Sequence, residues 1–269
     1  MAIQPISPLN LQRYEFKYRV PLALVDRISD YVASYCEMDY YSKISKDGFY
    51  LINSLYMDSP SFHIFQRQES LEFDYSCFRI RAYGADPKPP YYFESKQKIG
   101  DFCKKRRAKV PIENFGDLIE APWKVQGFDP YRDRNLVDFL EKVQTFNLEP
   151  RVLTQYRRRA FLSTTDDYAR VTFDRDLRLQ DEHLYNIHPN EELMRHYDHQ
   201  DTFMDPHSGR NVILELKCER KIPVWMISMV RTFQLTHYRF SKFYSAMMEA
   251  HGRPEQYLVQ RRTRAEIGL

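Results

Sequence analysis

Charged and hydrophobic residues alternate in several short stretches of this chain, at the period of a β-strand with two unlike faces. The first stretch alternates charged with aromatic residues, namely Arg13, Glu15, Lys17 and Arg19 with Tyr14, Phe16 and Tyr18. Strand patterns follow at residues 49–57, 75–83, 91–98, 103–110, 151–161, 168–175 and 211–220. With the first stretch these make eight predicted strands, enough to close around a lumen if they are antiparallel.

Apolar residues at helical spacing lie between and after the strands. A helix is predicted from Pro21 to about Cys36, because proline is favoured in a first helical turn. Further helices are predicted near residues 60–68, 135–146, 223–234 and 239–250. We therefore expect an α+β fold, a closed eight-stranded antiparallel β-barrel with helices packed outside. Residues 13–252 are expected to form this single domain, between a lead-in at 1–12 and a basic tail at 253–269.

The charged faces of these strands allow two interpretations. Each could be the solvated face of an antiparallel sheet, which is the commoner case for any one strand. Repetition favours the other, a charged lumen. The inward candidates are ten cations, Lys17, Arg79, Arg81, Lys96, Lys98, Lys105, Arg107, Arg158, Arg170 and Lys217, and five acids, Glu15, Glu94, Asp174, Glu215 and Glu219. This excess of cations indicates a polyanionic ligand.

Composition narrows the class of protein. The chain has 269 residues and a formal net charge of +3, so any preference for anions must come from local arrangement. It contains 8 glycines and neither GxxxxGK[ST] nor GxGxxG, which argues against a glycine-rich phosphate loop. RNA binding is disfavoured because the aromatic residues alternate away from the charged face, whereas single-strand binders expose stacking platforms beside their cations. No specific nucleic acid is expected as a partner.

The remaining local signals concern compartment and metal binding. Cys36, Cys77, Cys103 and Cys218 show no CxxC spacing, and the sequence has neither a signal peptide nor an apolar run long enough to span a bilayer. We expect a reduced, cytoplasmic location without a membrane span. The segment 177–210 holds five of the eight histidines but lacks HExxH or paired Cys/His spacing, so it is predicted to be a polar loop rather than a metal site.

Nine blocks of the sequence together resemble a known family. In chain order they are RYEFKYRV, SLYMDS, FRIRAYG, YFESKQK, KKRRA, QYRRRAF, RVTFDRDLR, LELKCE and FSKFYSAM. Their order and spacing over about residues 13–250 are similar to those of the VTC domain, the polyphosphate polymerase domain of vacuolar transporter chaperone complexes. That domain belongs to the triphosphate tunnel metalloenzymes, also called CYTH-like. The chain shows no SPX domain and no membrane segment, so it resembles a free-standing, bacterial-type member.

The resemblance implies roles for particular residues. It implies catalytic phosphate contacts for Lys17, Arg79, Arg81, Lys96, Arg158, Arg170 and Lys242, and ligand binding by Lys105, Arg107, Tyr156, Lys217 and Ser241. Glu215 would be the main ligand of Mn²⁺ or Mg²⁺, with Glu15, Glu94, Asp174 and Glu219 as further candidates. For Glu94 and Glu219, a role as salt-bridge partner remains an equal alternative. The family alone places Lys242, which lies on a predicted helix.

The expected function is transfer of the γ-phosphoryl group of ATP, or of another nucleoside triphosphate, to a polyphosphate chain. Hydrolysis of tripolyphosphate or nucleoside triphosphates is the close rival, because it would use the same ground-state site. Many tunnel enzymes open with ExExK, whereas Arg13 replaces the first acid here, which favours the VTC branch over the triphosphatases. A non-catalytic sensor or scaffold that holds polyphosphate or a nucleotide is the alternative of another class.

Overall fold

The structure is a computed structural model that describes residues 13–69, 75–99, 102–122, 125, 129–166, 168–197, 211–219 and 221–252. The predicted lead-in at 1–12 and the basic tail at 253–269 lie outside the described residues. So does part of the histidine-containing segment, including His199 and His207.

Ten strands are described, and they follow the alternating patterns closely. They are β1 (Arg13–Pro21), β2 (Cys36–Met38), β3 (Tyr50–Asp58), β4 (Tyr75–Tyr83), β5 (Tyr91–Ile99), β6 (Phe102–Val110), β7 (Glu149–Ser163), β8 (Ala169–Asp181), β9 (Arg195–His196) and β10 (Asn211–Glu219). The eight predicted strands correspond to all of these except β2 and β9. Those two are short, two or three residues each, and too brief to leave a periodic signal. The prediction was wrong at the end of β8, which continues from 175 to Asp181 into the segment predicted as a polar loop, because Leu177 and Leu179 are buried there.

The strands form one large antiparallel sheet. Its hydrogen-bonded order is β1-β10-β8-β7-β3-β4-β5-β6, with β2 added to β7 and β9 added to β8. Among the described residues this order begins at β1 and ends at β6, and the sheet is not closed by hydrogen bonds. The prediction of an α+β fold with a large antiparallel sheet is confirmed, whereas hydrogen-bonded closure into a barrel is not found.

Seven α-helices are described: α1 (Val25–Ala33), α2 (Tyr40–Ile44), α3 (His63–Glu69), α4 (Phe115–Glu120), α5 (Arg134–Thr145), α6 (Val224–Thr232) and α7 (Lys242–His251). In place of the helix predicted from Pro21 to about Cys36, a 3-10 turn forms at Leu22–Leu24 and leads into α1, which ends at Ala33. Pro21 is the last residue of β1, with an extended backbone at φ −59° and ψ 143°, and Cys36 already belongs to β2. Among the described residues no helix is long and apolar enough to cross a membrane.

The chain divides into two compact units. Unit 1 comprises the described parts of Met1–Phe49, Arg158–Asp174 and His207–Arg239, and unit 2 those of Tyr50–Arg157, Arg175–Pro206 and Phe240–Leu269. The long strands β7 and β8 therefore each contribute residues to both units.

In unit 1, the hydrophobic faces of β1, β8 and β10 form a core with α1 and α6. Buried members include Val20, Ile28, Val171, Leu214 and Met226, with Tyr14 and Phe16 packed against them. The register places Tyr18 opposite Leu214, so the apolar residues of neighbouring strands lie on the same face. The alternate positions of the same strands consequently carry the charged residues.

In unit 2, the same division separates the two faces of β3–β6. Ile80, Phe93 and Ala108 are buried on one face, where Phe93 contacts the rings of Phe115 on α4 and Phe139 on α5. The residues between them on β4, β5 and β6 are mostly charged. Packing of these helices against one face thus leaves the charged residues together on the other.

Candidate functional site

A cluster of cations lies on the charged face of unit 2, where three neighbouring strands are in register. Arg79 on β4 is opposite Glu94 on β5, which is opposite Arg107 on β6. Two residues along the strands, Lys96 is opposite Lys105. Because residues at i and i+2 of a strand share a face, these side chains project to the same side.

Glu94 is the centre of this cluster. Its side chain is 2% exposed, and both of its oxygens contact cations. The contacts to Oε2 are Arg79 Nε at 2.7 Å, Arg79 Nη2 at 2.7 Å and Arg81 Nη1 at 3.7 Å, and those to Oε1 are Arg107 Nε at 2.6 Å and Lys105 Nζ at 3.0 Å. Four cations around one carboxylate leave an excess of three positive charges when Lys105 is protonated. Such an excess is suited to an anion with several negative oxygens.

Hydroxyl groups hold the arginines of the cluster in place. Arg79 Nη1 donates to Tyr56 Oη at 3.1 Å, and Arg81 donates from Nη2 to Tyr156 Oη at 3.2 Å and from Nε to Ser54 Oγ at 3.4 Å. Tyr56 and Tyr156 are both buried. The guanidinium groups are therefore fixed before any ligand arrives, which reduces the entropic cost of binding.

The ionisation states follow from this crowding. Burial opposes ionisation of Glu94, but the charges of Arg81, Arg79, Lys105 and Arg107 outweigh it and hold its pKa well below the usual range. The pKa of Lys105 is lowered to about 7, because desolvation and the charges of Arg79 and Arg81 together outweigh the opposing effect of Glu94. The side chain of Lys105 nevertheless keeps 43% of its surface accessible. Lys105 is thus accessible to a ligand, and its charge changes as the pH passes through about 7.

The helix α7 brings one further predicted residue to unit 2. Lys242 is its first residue, and Nζ lies 4.8 Å from the centroid of the Tyr156 ring, a cation–π distance. Ser241 precedes it, and its Oγ accepts from the backbone N–H of Tyr244 at 3.3 Å and contacts Gln68 Oε1 at 3.1 Å. The hydroxyl of Ser241 is therefore occupied in capping the helix that carries Lys242.

A second charged cluster lies in unit 1, on the face of β1, β8 and β10 that carries the charged residues. Lys17 on β1 is opposite Glu215 on β10, and Glu15 is opposite Lys217. Lys17 Nζ lies 3.2 Å from Glu15 Oε1 and 4.0 Å from Glu215 Oε1, and Lys217 Nζ lies 3.7 Å from Glu15 Oε2 and 3.4 Å from Glu215 Oε1. Each lysine thus bridges both glutamates.

Strands β7 and β8 add a buried ion pair, Arg158 with Asp174, to this second cluster. Arg158 donates from Nε and Nη2 to the two carboxylate oxygens of Asp174, both at 2.6 Å. Its Nη2 also lies 3.8 Å from Glu215 Oε2, which accepts from Thr172 Oγ1 at 3.4 Å. Both oxygens of Asp174 are therefore engaged by one guanidinium, whereas Glu215 is shared among several neighbours.

The two outermost predicted residues of unit 1 lie toward the ends of these strands. Arg170 on β8 is opposite Lys217, and its Nη2 lies 3.5 Å from Asp39 Oδ2. Glu219 ends β10 and is opposite Arg13 in the register. The predicted site residues thus lie on strands of the two units, at the start of α7 or at its N-cap.

Of the predicted metal ligands, Glu15 and Glu215 could hold a divalent cation more readily than Glu94 or Asp174, whose oxygens are engaged by arginines. Glu15 and Glu215 lie on adjacent strands and are held together by the same two lysines. Mg²⁺ is typically bound through one or two carboxylates together with phosphate oxygens of the substrate. Among the described residues no group of three or more His, Cys, Asp or Glu side chains could enclose a metal ion alone. The donor set therefore suits a metal that arrives with phosphate.

Sequence reasoning predicted Tyr156 but missed three other neutral residues of the two clusters. Ser54, Tyr56 and Thr172 each contact a predicted site residue. Ser54 and Tyr56 lie two residues apart on β3 and share a face. The alternation alone does not show whether a tyrosine on such a face contacts charged residues or packs in a core. Their pairing with Arg81 and Arg79 depends on the register of β3 with β4, a long-range property.

Comparison with known proteins identifies the family. The model of the VTC domain matches residues 12–251, so the chain belongs to the VTC domain family. No curated protein matches. Similar solved structures include a Vibrio parahaemolyticus protein described as a “putative adenylate cyclase” (11% identity, 87% of this chain and 96% of that chain, TM-score 0.45). Another is HpAC1 from Hippeastrum, described as having a dominant triphosphatase activity (13% identity, 85% and 92% coverage, TM-score 0.41). With TM-scores under 0.5, these likenesses add no argument.

Proposed function

We propose that this protein is a metal-dependent phosphotransferase that moves the γ-phosphoryl group of ATP onto the end of a polyphosphate chain. Membership of the VTC domain family supports this proposal. The observation that carries it is the Glu94-centred cluster of unit 2, where Arg79, Arg81, Lys105 and Arg107 surround one carboxylate. The excess of positive charge in this cluster suits a ligand with several negative oxygens.

The chemistry asks for positioned charge rather than a covalent catalyst. In phosphoryl transfer the bond between the γ-phosphorus and its bridging oxygen breaks, a terminal oxygen of the acceptor bonds to that phosphorus, and ADP leaves. Negative charge on the transferring group is stabilised by cations that are already in place. In unit 2 the arginines are fixed by Tyr56 and Tyr156, and Lys242 is held over the ring of Tyr156.

Unit 1 would hold the metal. Glu215 and Glu15 are the proposed ligands of Mg²⁺ or Mn²⁺, while Lys17 and Lys217 neutralise them and offer further contacts to phosphate. A bound divalent cation would neutralise charge on phosphate oxygens. The bidentate pairing of Arg158 with Asp174 orients its guanidinium toward Glu215, which fixes that carboxylate on a third side.

A product assay tests the proposal. Purified protein is incubated with γ-labelled ATP, with Mg²⁺ or Mn²⁺, and with or without short polyphosphate, and products are resolved by gel and by phosphate release. We expect the short polyphosphate to accelerate ATP consumption and to become longer. If ATP is consumed and all label appears as orthophosphate, the protein is a triphosphatase. If both ligands bind and neither is consumed, it is a sensor or scaffold.

A further inference from the structure

We propose that Tyr40 and Tyr41 form a stacking platform for the base of a nucleoside triphosphate. The inference rests on the proposed function and deepens it, because it names the residues that would hold the base of the nucleotide donor. The platform lies on α2 in unit 1, outside the residues that the family resemblance implies.

The short helix α2 exposes unusually large hydrophobic side chains. Tyr40 is 69% exposed, Tyr41 44% and Ile44 64%. The centroids of the two tyrosine rings are 5.6 Å apart, and their planes make an angle of 76°. Single exposed hydrophobic residues are ordinary, but three within five residues make a contiguous patch of the kind that marks a binding surface.

Hydrogen bonds fix the position of α2 relative to β7. Asp39 accepts from the backbone N–H of Ser42 at 2.9 Å, and its own N–H donates to the carbonyl of Ala160 on β7 at 2.9 Å. The buried Ser42 hydroxyl accepts from the N–H of Ala160 at 2.9 Å. Because these bonds tie α2 to a central strand, the tyrosines can bind a planar ligand without first being ordered.

The residue before Tyr40 connects the platform to the charged face of unit 1. Asp39 Oδ2 lies 3.5 Å from Arg170 Nη2, and Arg170 is opposite Lys217 in the register. Thr172, which contacts Glu215, is two residues further along β8, about 7 Å away at the rise of a strand. Because Tyr40 follows Asp39 in the chain, we infer that a nucleotide whose phosphates contact Arg170 and Lys217 directs its base toward α2.

The chemistry of the patch favours a base over other occupants. Tyrosine rings stack on nucleobases with little dependence on base identity, and a bare polyphosphate has no π-face to offer them. Cations beside an exposed aromatic surface can bind the phosphates and the base of one nucleotide. In this chain the aromatic residues of β1 lie on the face opposite to the charged one, whereas α2 exposes two tyrosine rings.

The test compares two ligands that share a triphosphate and differ in the base. A non-hydrolysable ATP analogue and tripolyphosphate are titrated by calorimetry, each with Mg²⁺, into wild type and the double variant Tyr40→Ala, Tyr41→Ala. We expect the analogue to bind about 5- to 100-fold more weakly to the variant, the usual range for loss of a base–aromatic stack. Tripolyphosphate affinity should change by less than about twofold. Tyr40→Phe with Tyr41→Phe should restore binding of the analogue, since stacking needs the rings and not the hydroxyls.

The matched control is Tyr131→Ala, which removes a tyrosine of similar exposure, 65%, from unit 2. It should leave both affinities unchanged. An equal loss of both ligands in the double variant, or no loss of either, would overturn the platform. If the wild type binds neither tripolyphosphate nor the analogue, the proposed function is refuted, and the platform with it.

Discussion

A single buried carboxylate organises the cations of unit 2. Four positive side chains this close together would repel one another, and Glu94 offsets that repulsion with contacts from both of its oxygens. One carboxylate cannot neutralise all four, so the cluster keeps a net positive charge while remaining fixed. For Glu94 the geometry favours the salt-bridge interpretation over the metal-ligand one, because cations already surround the carboxylate.

Lys105 should make anion binding depend on pH. Its pKa is about 7 in the ligand-free protein, and a bound anion favours the charged form and raises it. Binding therefore takes up a proton above pH 7, and affinity should fall as the pH rises from about 6.5 to 9, by at most about tenfold per pH unit. Calorimetry with sulfate measures this, since the charge of sulfate is constant over that range.

The control for this experiment is Lys105→Arg, because a guanidinium stays charged throughout. Its sulfate affinity should be nearly flat across the same pH range. A wild-type profile as flat as that of Lys105→Arg would contradict the assignment of the titrating group.

Glu215→Gln should abolish metal-dependent turnover and leave the protein folded. The amide keeps the shape and the contact with Thr172 but loses the negative charge beside Lys17 and Lys217, so a divalent cation is held more weakly. Turnover of ATP is measured against Mn²⁺ concentration, and folding by thermal melting. The matched control is Glu37→Gln, an exposed acid of unit 1 paired with Lys43. Wild-type metal dependence in the Glu215 variant would refute its role.

At the scale of elements, strand register decides which charges meet. In unit 1, β1, β10 and β8 are aligned so that Lys17, Glu215 and Thr172 form one row across the sheet, and Glu15, Lys217 and Arg170 form the next. A shift by one residue would turn every charged side chain toward the core. The burial of Val20, Leu214 and Val171 therefore fixes the charged rows as well as the hydrophobic ones.

The start of α7 is the element whose stability bears on Lys242. Ser241→Ala removes the cap that accepts from the N–H of Tyr244, and should lower the free energy of unfolding by about 0.5 to 2 kcal/mol. Urea denaturation measures the loss. Ser241→Asn, which also caps helices, should recover most of it. If alanine costs nothing, the hydroxyl serves another purpose, such as the ligand contact that the family resemblance implies.

At the scale of the whole molecule, the two charged clusters differ in net charge. The central cluster of unit 1 pairs Lys17, Lys217 and Arg158 with Glu15, Glu215 and Asp174, and is balanced. The cluster of unit 2 is strongly positive. A formal net charge of +3 for the chain conceals this difference. Affinity for long anions is consequently expected to depend chiefly on unit 2.

Polyphosphate binding should therefore weaken steeply with salt. Each cation that contacts the polyanion contributes to the slope of log affinity against log salt concentration, so Arg79→Ala should reduce that slope by roughly one unit. Binding is measured by fluorescence anisotropy between about 50 and 200 mM salt. Lys88→Ala, which removes an exposed lysine paired with Asp86, should leave the slope unchanged. Equal slopes for wild type and Arg79→Ala would exclude Arg79 from the contact.

The sequence by itself determined the eight longer strands, the division of their faces and the family. Alternation is a local property, so β4 could be read directly from residues 75–83, and the order of the nine blocks carried the resemblance to the VTC domain. Local signals failed where neighbours decide the structure. Pro21 reads as a helix start, yet it ends β1, because pairing with Asn211 on β10 holds it extended.

The tertiary structure alone decided which charges share a site and what state they adopt. Charge alternation gave Glu94 and Glu215 the same rank as acids among cations, whereas register and burial surround Glu94 with four cations and place Glu215 with Glu15 between two lysines. The same is true of Lys105, whose pKa depends on crowding by residues distant in the chain. Pairing across strands and desolvation depend on residues that are distant in the chain, so they cannot be predicted from the sequence of one strand alone.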